Sequence, residues 1–265
     1  MLQGVFPAQK KDGTRYYRAS VTYRRKHISL GSYRSESDAG NAYREACLIL
    51  ESQNPPLTLS DYDSSFVLSF EKWVVLINFR DNKMYFHTPI YVRPHFFYYY
   101  YSPELVLKFD TDDLFYYASH KIMKRGNHYF AADFGMQVNI LNRYGIMNYA
   151  VCGRDYRFIN GDTTDFRREN LFIINKYRGV SYISAKGRYC AKVHINGNYL
   201  VGFYETMEEA AIAYNKAVDI LKQNGCQTAY VQNYLENMTK DAYTEAYMRL
   251  PVSKKIYELT FPKNQ

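Results

Sequence analysis

The chain has 265 residues, an aromatic share of 17% that includes 29 tyrosines, and a formal net charge of +8. That length and apolar content suit one large domain or two to three small ones with a buried core. The charge favours a polyanionic partner (DNA, RNA or an acidic membrane surface), while the longest apolar runs, such as residues 73–77, are far too short to span a bilayer.

The opening MLQGVFPAQKK lacks the apolar stretch of a secretory signal. Cys47, Cys152, Cys190 and Cys226 are scattered with no C-x-x-C pair, which argues against a zinc ribbon and against a disulfide scaffold. The expectation is a soluble intracellular protein with reduced, buried thiols, no membrane partner and no cofactor.

From the N-terminus, residues 4–50 read as three short strands and a helix, and Asn54-Pro55-Pro56 marks a boundary. Strands are then expected over 72–79 (KWVVLINF), 83–92, 96–101 and 105–109. Within them the run FFYYYY reads as a packed sheet face rather than a base-stacking platform. A further strand is expected over 136–143 (MQVNILNR), followed by YRFINGDTTDFRRENL at 156–171.

Residues 179–221 again read as three strands and a helix. Apolar and polar residues alternate from Tyr189 to Ile195, the mark of a half-buried strand. Asn196-Gly197-Asn198 is expected to supply the positive-φ residues of a tight hairpin. Thr206 is placed to cap the helix, with Glu209 completing a capping box. Ala210, Ala213, Tyr214, Ala217 and Leu221 fall on one face of that helix. The tail gives a short helix over 241–250, ended by Pro251.

The two strand–helix segments repeat each other: Ala19 aligns with Ala191, Gly31 with Gly202, Ala39 with Ala210, and Ala42-Tyr43 with Ala213-Tyr214. The first copy is one residue longer between the alanine and the glycine, an extra residue assigned to the turn between strands. The shared pattern runs Y-R-G-V, then aromatic-x-Ala-x-aliphatic, then L/V-G-x-aromatic-x-T/S-x-E-x-A-A-x-A-Y. It resembles the Apetala-two/ethylene-response-factor DNA-binding domain, most closely over 177–233 and also over 4–50. The resemblance implies a three-stranded sheet laid in the major groove, a geometry that groove admits. It places Arg15, Arg18, Arg24, Arg25, Lys26 and His27 of the first copy at contact positions. In the second copy it does the same for Arg178, Tyr182, Lys186, Arg188, Lys192 and His194. This sequence departs from the family at its tryptophans, replaced by Tyr17, Tyr189, Ser29 and Leu200.

The frame I-N-G-D-x-x-D-x-R-x-x-N-L within 156–171 resembles the C-terminal half of an HNH nuclease motif. Residues 104–132 resemble the segment leading into it in proteins that combine HNH and Apetala-two modules. That resemblance implies an acidic D-x-x-D turn starting a short helix, then a strand pair, then the ββα nuclease fold. In such a site a histidine is the general base and further side chains hold one divalent metal against the scissile phosphate. Here Arg157 stands at a ligand position, Phe158 at the general-base position and Phe166 at an asparagine, and no histidine lies between Tyr129 and Val193. A guanidinium repels a metal ion and stays protonated. Asp165 is expected to cap a helix and Leu171 to pack.

The sequence therefore predicts an α+β protein. Two modules, each a small three-stranded antiparallel sheet plus one helix (1–55 and 176–240), flank a central β-rich degenerate HNH domain (60–175), with a tail at 241–265. Its expected function is non-catalytic nucleic-acid binding, most directly to duplex DNA, with Arg157 and Arg167 joining the basic residues above and no catalytic or metal-binding residues. The alternatives are an active HNH homing-type endonuclease and a structural RNA-binding subunit, such as an organellar ribosomal protein, gripping structured RNA.

Overall fold

A computed structural model of the chain describes residues 2–52, 55–133 and 135–261, so the boundary residue Asn54 lies outside it. The protein is mixed α+β. Among the described residues its strands form four three-stranded antiparallel sheets and one two-stranded pair. The chain divides into two compact units, Met1–Ile140 with Asp162–Asn170, and Leu141–Gly161 with Leu171–Gln265.

The first unit opens with β1 (Val5–Gln9), β2 (Arg15–Tyr23), β3 (Lys26–Tyr33) and α1 (Glu36–Glu51). Ser35 caps α1 by accepting the Asp38 N–H at 3.0 Å. The small residues Ala39, Ala42 and Ala46 then bring the helix close against Val5, Ala19, Val21, Ile28 and Leu30 of the sheet, all buried in one cluster. Next come α2 (Phe70–Asn82), the sheet of β4 (Ile90–Val92), β5 (Phe96–Tyr100) and β6 (Val106–Asp110), and α3 (Leu114–Ser119). The unit continues into the sheet of β7 (Ile122–Arg125), β8 (His128–Asp133) and β9 (Met136–Asn139). From Asp110 the chain thus runs through a 3-10 turn, Thr111–Asp113, into α3 and then a three-stranded sheet in place of the expected strand pair.

Three expectations change here. The run 72–79 lies within helix α2, not a strand. Ser69 caps it, Lys83 closes it in the left-handed conformation at φ 61°, and every residue from Trp73 to Phe79 is buried, so no amphipathic period is there to read. The strand expected over 83–92 shrinks to Ile90–Val92. The buried Asn78 side chain draws the preceding loop onto α2, donating to the Met84 carbonyl at 2.7 Å and accepting from Val92 N–H at 2.9 Å. The strand over 136–143 stops at Asn139, where a 3-10 turn, Ile140–Tyr144, takes over.

The second unit contains the hairpin of β10 (Tyr156–Phe158) and β11 (Leu171–Ile173). Then come β12 (Val180–Ile183), β13 (Arg188–His194), β14 (Asn198–Tyr204) and α4 (Met207–Gln223). Instead of the helix that Asp165 was expected to cap, the chain makes one 3-10 turn, Arg168–Asn170, and enters β11 directly. Residues 174–179 then run to β12 without a helix. Thr206 caps α4 by accepting from Glu209 N–H at 3.1 Å, but the Glu209 carboxylate reaches Glu205 N–H at 3.3 Å rather than that of Thr206. The tail forms α5 (Lys240–Arg249) and α6 (Lys254–Tyr257), whose Ala246 and Ile256 join the core under α4 together with Leu250.

The internal repeat is visible in backbone detail. In both copies the ladder between second and third strands slips at one place, between Ala19 and Ser20 and between Ala191 and Lys192, leaving Leu30 and Val201 as the extra residues of a bulge. Gly4 and Gly179 sit at φ +71° and +72°, beneath Tyr43 and Tyr214, and their carbonyls accept from Ser20 and Lys192 N–H at 2.9 and 2.7 Å. The copies differ at the hairpin tip, opposite to expectation. The first turns on two residues, Arg24 and Arg25, both at positive φ; the second uses three, Ile195 to Gly197, none at positive φ. The extra residue of the first copy lies in the strand ladder rather than in the turn.

Candidate nucleic-acid interface

A basic cleft of about 640 Å³ lies along β12 in the second unit. Arg154, Arg178, Lys192 and His194 contribute to its wall, with Tyr149 and Tyr230, and among the described residues no Asp or Glu lines it. Lys192 and His194 come from alternate positions of β13, so both stand on the sheet face turned away from α4. Arg178 precedes β12, held by paired bonds between its backbone and the Asn233 amide at 2.7 and 3.0 Å. Its guanidinium lies over the Tyr149 ring, 5.1 Å from the centroid. His194 Nδ1 is 3.1 Å from Asn198 Oδ1, and Tyr230 donates its hydroxyl to the His194 carbonyl at 2.9 Å.

Tyr149 and Arg154 were not legible as site residues. They reach the cleft through Asp155, a carboxylate 1% exposed. Asp155 accepts from Val151 N–H at 2.8 Å and from Arg154 Nε and Nη2 at 2.9 and 2.7 Å. Its backbone carbonyl accepts from Ile174 and Asn175 N–H at 2.8 and 2.9 Å, tying the 149–155 loop to the entry of the second module. Tyr149 adds a bond from its hydroxyl to the Lys176 carbonyl at 3.1 Å. Burial pushes the Tyr149 hydroxyl above its ordinary pKa, and the Arg178 charge offsets part of that rise. Tyr149 therefore stays a neutral donor.

The remaining second-copy residues are placed differently. Lys186 sits in the turn before β13 with its ammonium 3.9 Å from the centroid of Phe203, and Arg188 pairs with Glu205 at 2.7 Å on the surface. In the first copy Arg18 is exposed on the outer sheet face, flanked by Phe6 and Ser32 across the ladder. Arg15 alternates onto the same side as Tyr17 and Ala19, though it too is exposed. Arg24, Arg25 and Lys26 are exposed at the hairpin tip, where Lys26 Nζ lies 5.1 Å from the Tyr85 ring centroid.

The residues of the HNH-like frame divide between the two units. In the first, Phe166 is 2% exposed and stacks on Phe109 with centroids 5.5 Å apart, a core side chain. Asn170 is buried with its amide donating to the Asp162 and Asp165 carbonyls at 3.2 and 2.9 Å. Asp165 is engaged by Arg167 at 2.7 Å and Lys108 at 3.8 Å. Burial raises its pKa, but the Arg167 bonds and the two cationic charges outweigh that and leave it below the ordinary carboxylate value. Arg167 is further paired with Glu169, so its charge is matched within the protein. In the second unit, Arg157 is exposed with its guanidinium 5.0 Å from the centroid of Phe172 across the hairpin, and Phe158 is half-buried beside Tyr156. Among the described residues no three His, Cys, Asp or Glu side chains gather as metal ligands would. No described helix is long and apolar enough to cross a membrane.

No protein-family model matches the chain, and no curated protein or solved structure matches it significantly.

Proposed function

We propose that the chain is a non-catalytic nucleic-acid-binding protein whose partner is duplex DNA, held through phosphate contacts. The observation that carries this reading is the cleft along β12, where Arg154, Arg178, Lys192 and His194 meet and no acidic residue among those described lines the wall. Arg178 and Lys192 have no ion-pair partner among the described residues, so their charges are available to a ligand. Cations at the edge and outer face of a small sheet suit a phosphate backbone, and the net charge of +8 adds long-range attraction. A non-catalytic role is supported by what the HNH-like frame does locally: Phe166 fills core, Asn170 ties a turn, and Arg157 lies over an aromatic ring. An intracellular setting fits four free thiols, although only Cys190 and Cys226 are buried as expected, while Cys47 is half-buried and Cys152 exposed.

The test is binding of the full chain to a fluorescently labelled duplex at increasing salt, with Arg178→Ala/Lys192→Ala alongside. The wild type is expected to lose affinity steeply with salt, and the double variant to show a log–log slope shallower by about 2, since each neutralised phosphate contributes about 0.9. An unchanged slope in the variant removes the cleft from the interface. Mg²⁺- or Mn²⁺-dependent cleavage abolished by Asn170→Ala, but not by a distant control, overturns the non-catalytic reading.

A further inference from the structure

Among the described residues only three that are not glycine hold a positive φ: Arg24 at 46°, Arg25 at 64° and Lys83 at 61°. All three are cations, and all belong to one corner of the first unit. Arg24 and Arg25 form the two-residue turn between β2 and β3, while Lys83 closes α2, its N–H donating to the Phe79 carbonyl at 3.1 Å. A continuous row of rings joins the two places. Tyr23 meets Phe79 edge-on at 5.7 Å, and Phe79 meets Tyr85 at 5.7 Å. Two of the corner's cations lie over those rings, the Arg24 guanidinium 5.3 Å from the Tyr23 centroid and Lys26 Nζ 5.1 Å from that of Tyr85. Arg24, Arg25, Lys26 and Lys83 are all exposed, and none is in an ion pair among the described residues.

A two-residue hairpin with positive φ at both positions is most stable as Asn-Gly or Asp-Gly, because Cβ atoms disfavour this region. Two arginines there give up local stability. A non-glycine residue held in such a conformation by its surroundings points to a role beyond folding. Here the surroundings are the aromatic row, which limits how far Arg24 and Lys26 can swing, so less freedom remains to be lost on binding. Closely spaced, unpaired and partly immobilised cations match an array of fixed negative charges.

We propose that this corner is a second grip on the DNA backbone, independent of the cleft along β12, in which Arg24, Arg25, Lys26 and Lys83 neutralise successive phosphates. The assignment of duplex DNA rests on the reading given under Proposed function; the corner itself has no counterpart in the second copy, since Lys83 and Tyr85 lie outside the repeated module. Two grips on one chain raise affinity through effective concentration when both reach the same duplex.

The test replaces the turn by the sequence that a two-residue hairpin prefers, Arg24→Asn with Arg25→Gly, in the full chain. Its expected signature is a stabilised fold with weakened binding. The unfolding midpoint reported by Trp73 rises, while affinity for a labelled random-sequence duplex at about 50 mM salt falls by at least about tenfold and the salt slope drops by about 2. A second variant, Lys26→Gln with Lys83→Gln, leaves the turn residues in place and is expected to lower the slope by a similar amount. Unchanged affinity and slope in both variants, while Arg178→Ala/Lys192→Ala still weakens binding, overturn the corner and leave the cleft standing. Failure of the wild type to bind the duplex at low salt overturns both. If the two corner variants lose affinity for an RNA hairpin and keep it for the duplex, the assignment of the corner to DNA is wrong.

Discussion

Gly4→Ala is expected to destabilise the first unit by far more than a glycine change in a turn normally does. Gly4 holds φ +71°, and a Cβ built on it falls 2.7 Å from the Ser20 carbonyl oxygen and into the Tyr43 ring. The Tyr43 ring can shift, but the carbonyl cannot, because the adjacent Ser20 N–H is bonded to the Gly4 carbonyl at 2.9 Å at the start of the bulge. Gly13 supplies the internal control. It sits at φ +86° in the turn between β1 and β2, and its Cβ would meet only the Gln9 amide end at 3.8 Å. Both substitutions carry the left-handed penalty of about 1 kcal/mol. Gly4→Ala adds overpacking against backbone, about 2 kcal/mol more, for a total of about 3 kcal/mol against about 1 kcal/mol for Gly13→Ala. Trp73 is the sole tryptophan and is buried in the same cluster as Val5 and Ala19, so urea unfolding followed by its fluorescence reads this unit directly. Equal midpoints for the two variants would refute the claim that the glycine is required by close approach rather than by φ alone.

Restoring the asparagine of the nuclease frame, Phe166→Asn, removes a stacked core ring and leaves a polar amide buried. We expect a loss of about 3–5 kcal/mol in the same fluorescence assay and no gain of metal-dependent cleavage. Asp165 has a folded pKa below its ordinary value, so its stabilising contribution is complete above the usual carboxylate range and is lost as pH falls beneath it. Acid unfolding read by Trp73 should therefore be steeper in the wild type than in Asp165→Asn below about pH 4, and parallel curves would contradict this. Asp155→Ala should free the 149–155 loop, destabilising the second unit by about 1–3 kcal/mol in circular dichroism melts and weakening duplex binding through Arg154. Wild-type affinity in a folded variant would remove that loop from the interface.

The repeated modules were legible because their signals are local. Alternation along 189–195, alanines at helical spacing, and Thr206 before them each specify backbone without reference to distant residues. Helix α2 was not legible, since a helix buried on every side presents the same continuous apolar run as a buried strand. The hairpin tips were assigned the wrong way round for a related reason. Asn196-Gly197 carries the preferred residues for a two-residue turn, yet the ladder pairs His194 with Asn198 and leaves three residues outside it. The arginine pair adopts the left-handed turn because the longer ladder of the first copy, from Ala19 to Gly31, pairs Tyr23 with Lys26. In the cleft, Lys192, His194 and Arg178 are residues that the Apetala-two resemblance places at contact positions. Tyr149 and Arg154 were not legible, because a buried carboxylate, Asp155, brings them there through bonds that no local periodicity encodes.

The most direct measurement is competition at low salt between a labelled DNA duplex bound to the full chain and unlabelled structured RNA, with Mg²⁺ present and the duplex recovered afterwards. The account predicts a bound duplex that loses affinity steeply with salt, yields only weakly to RNA, and is recovered uncut. Absence of duplex binding, displacement by RNA at lower concentration than by unlabelled duplex, or recovery of cleaved DNA would each contradict it.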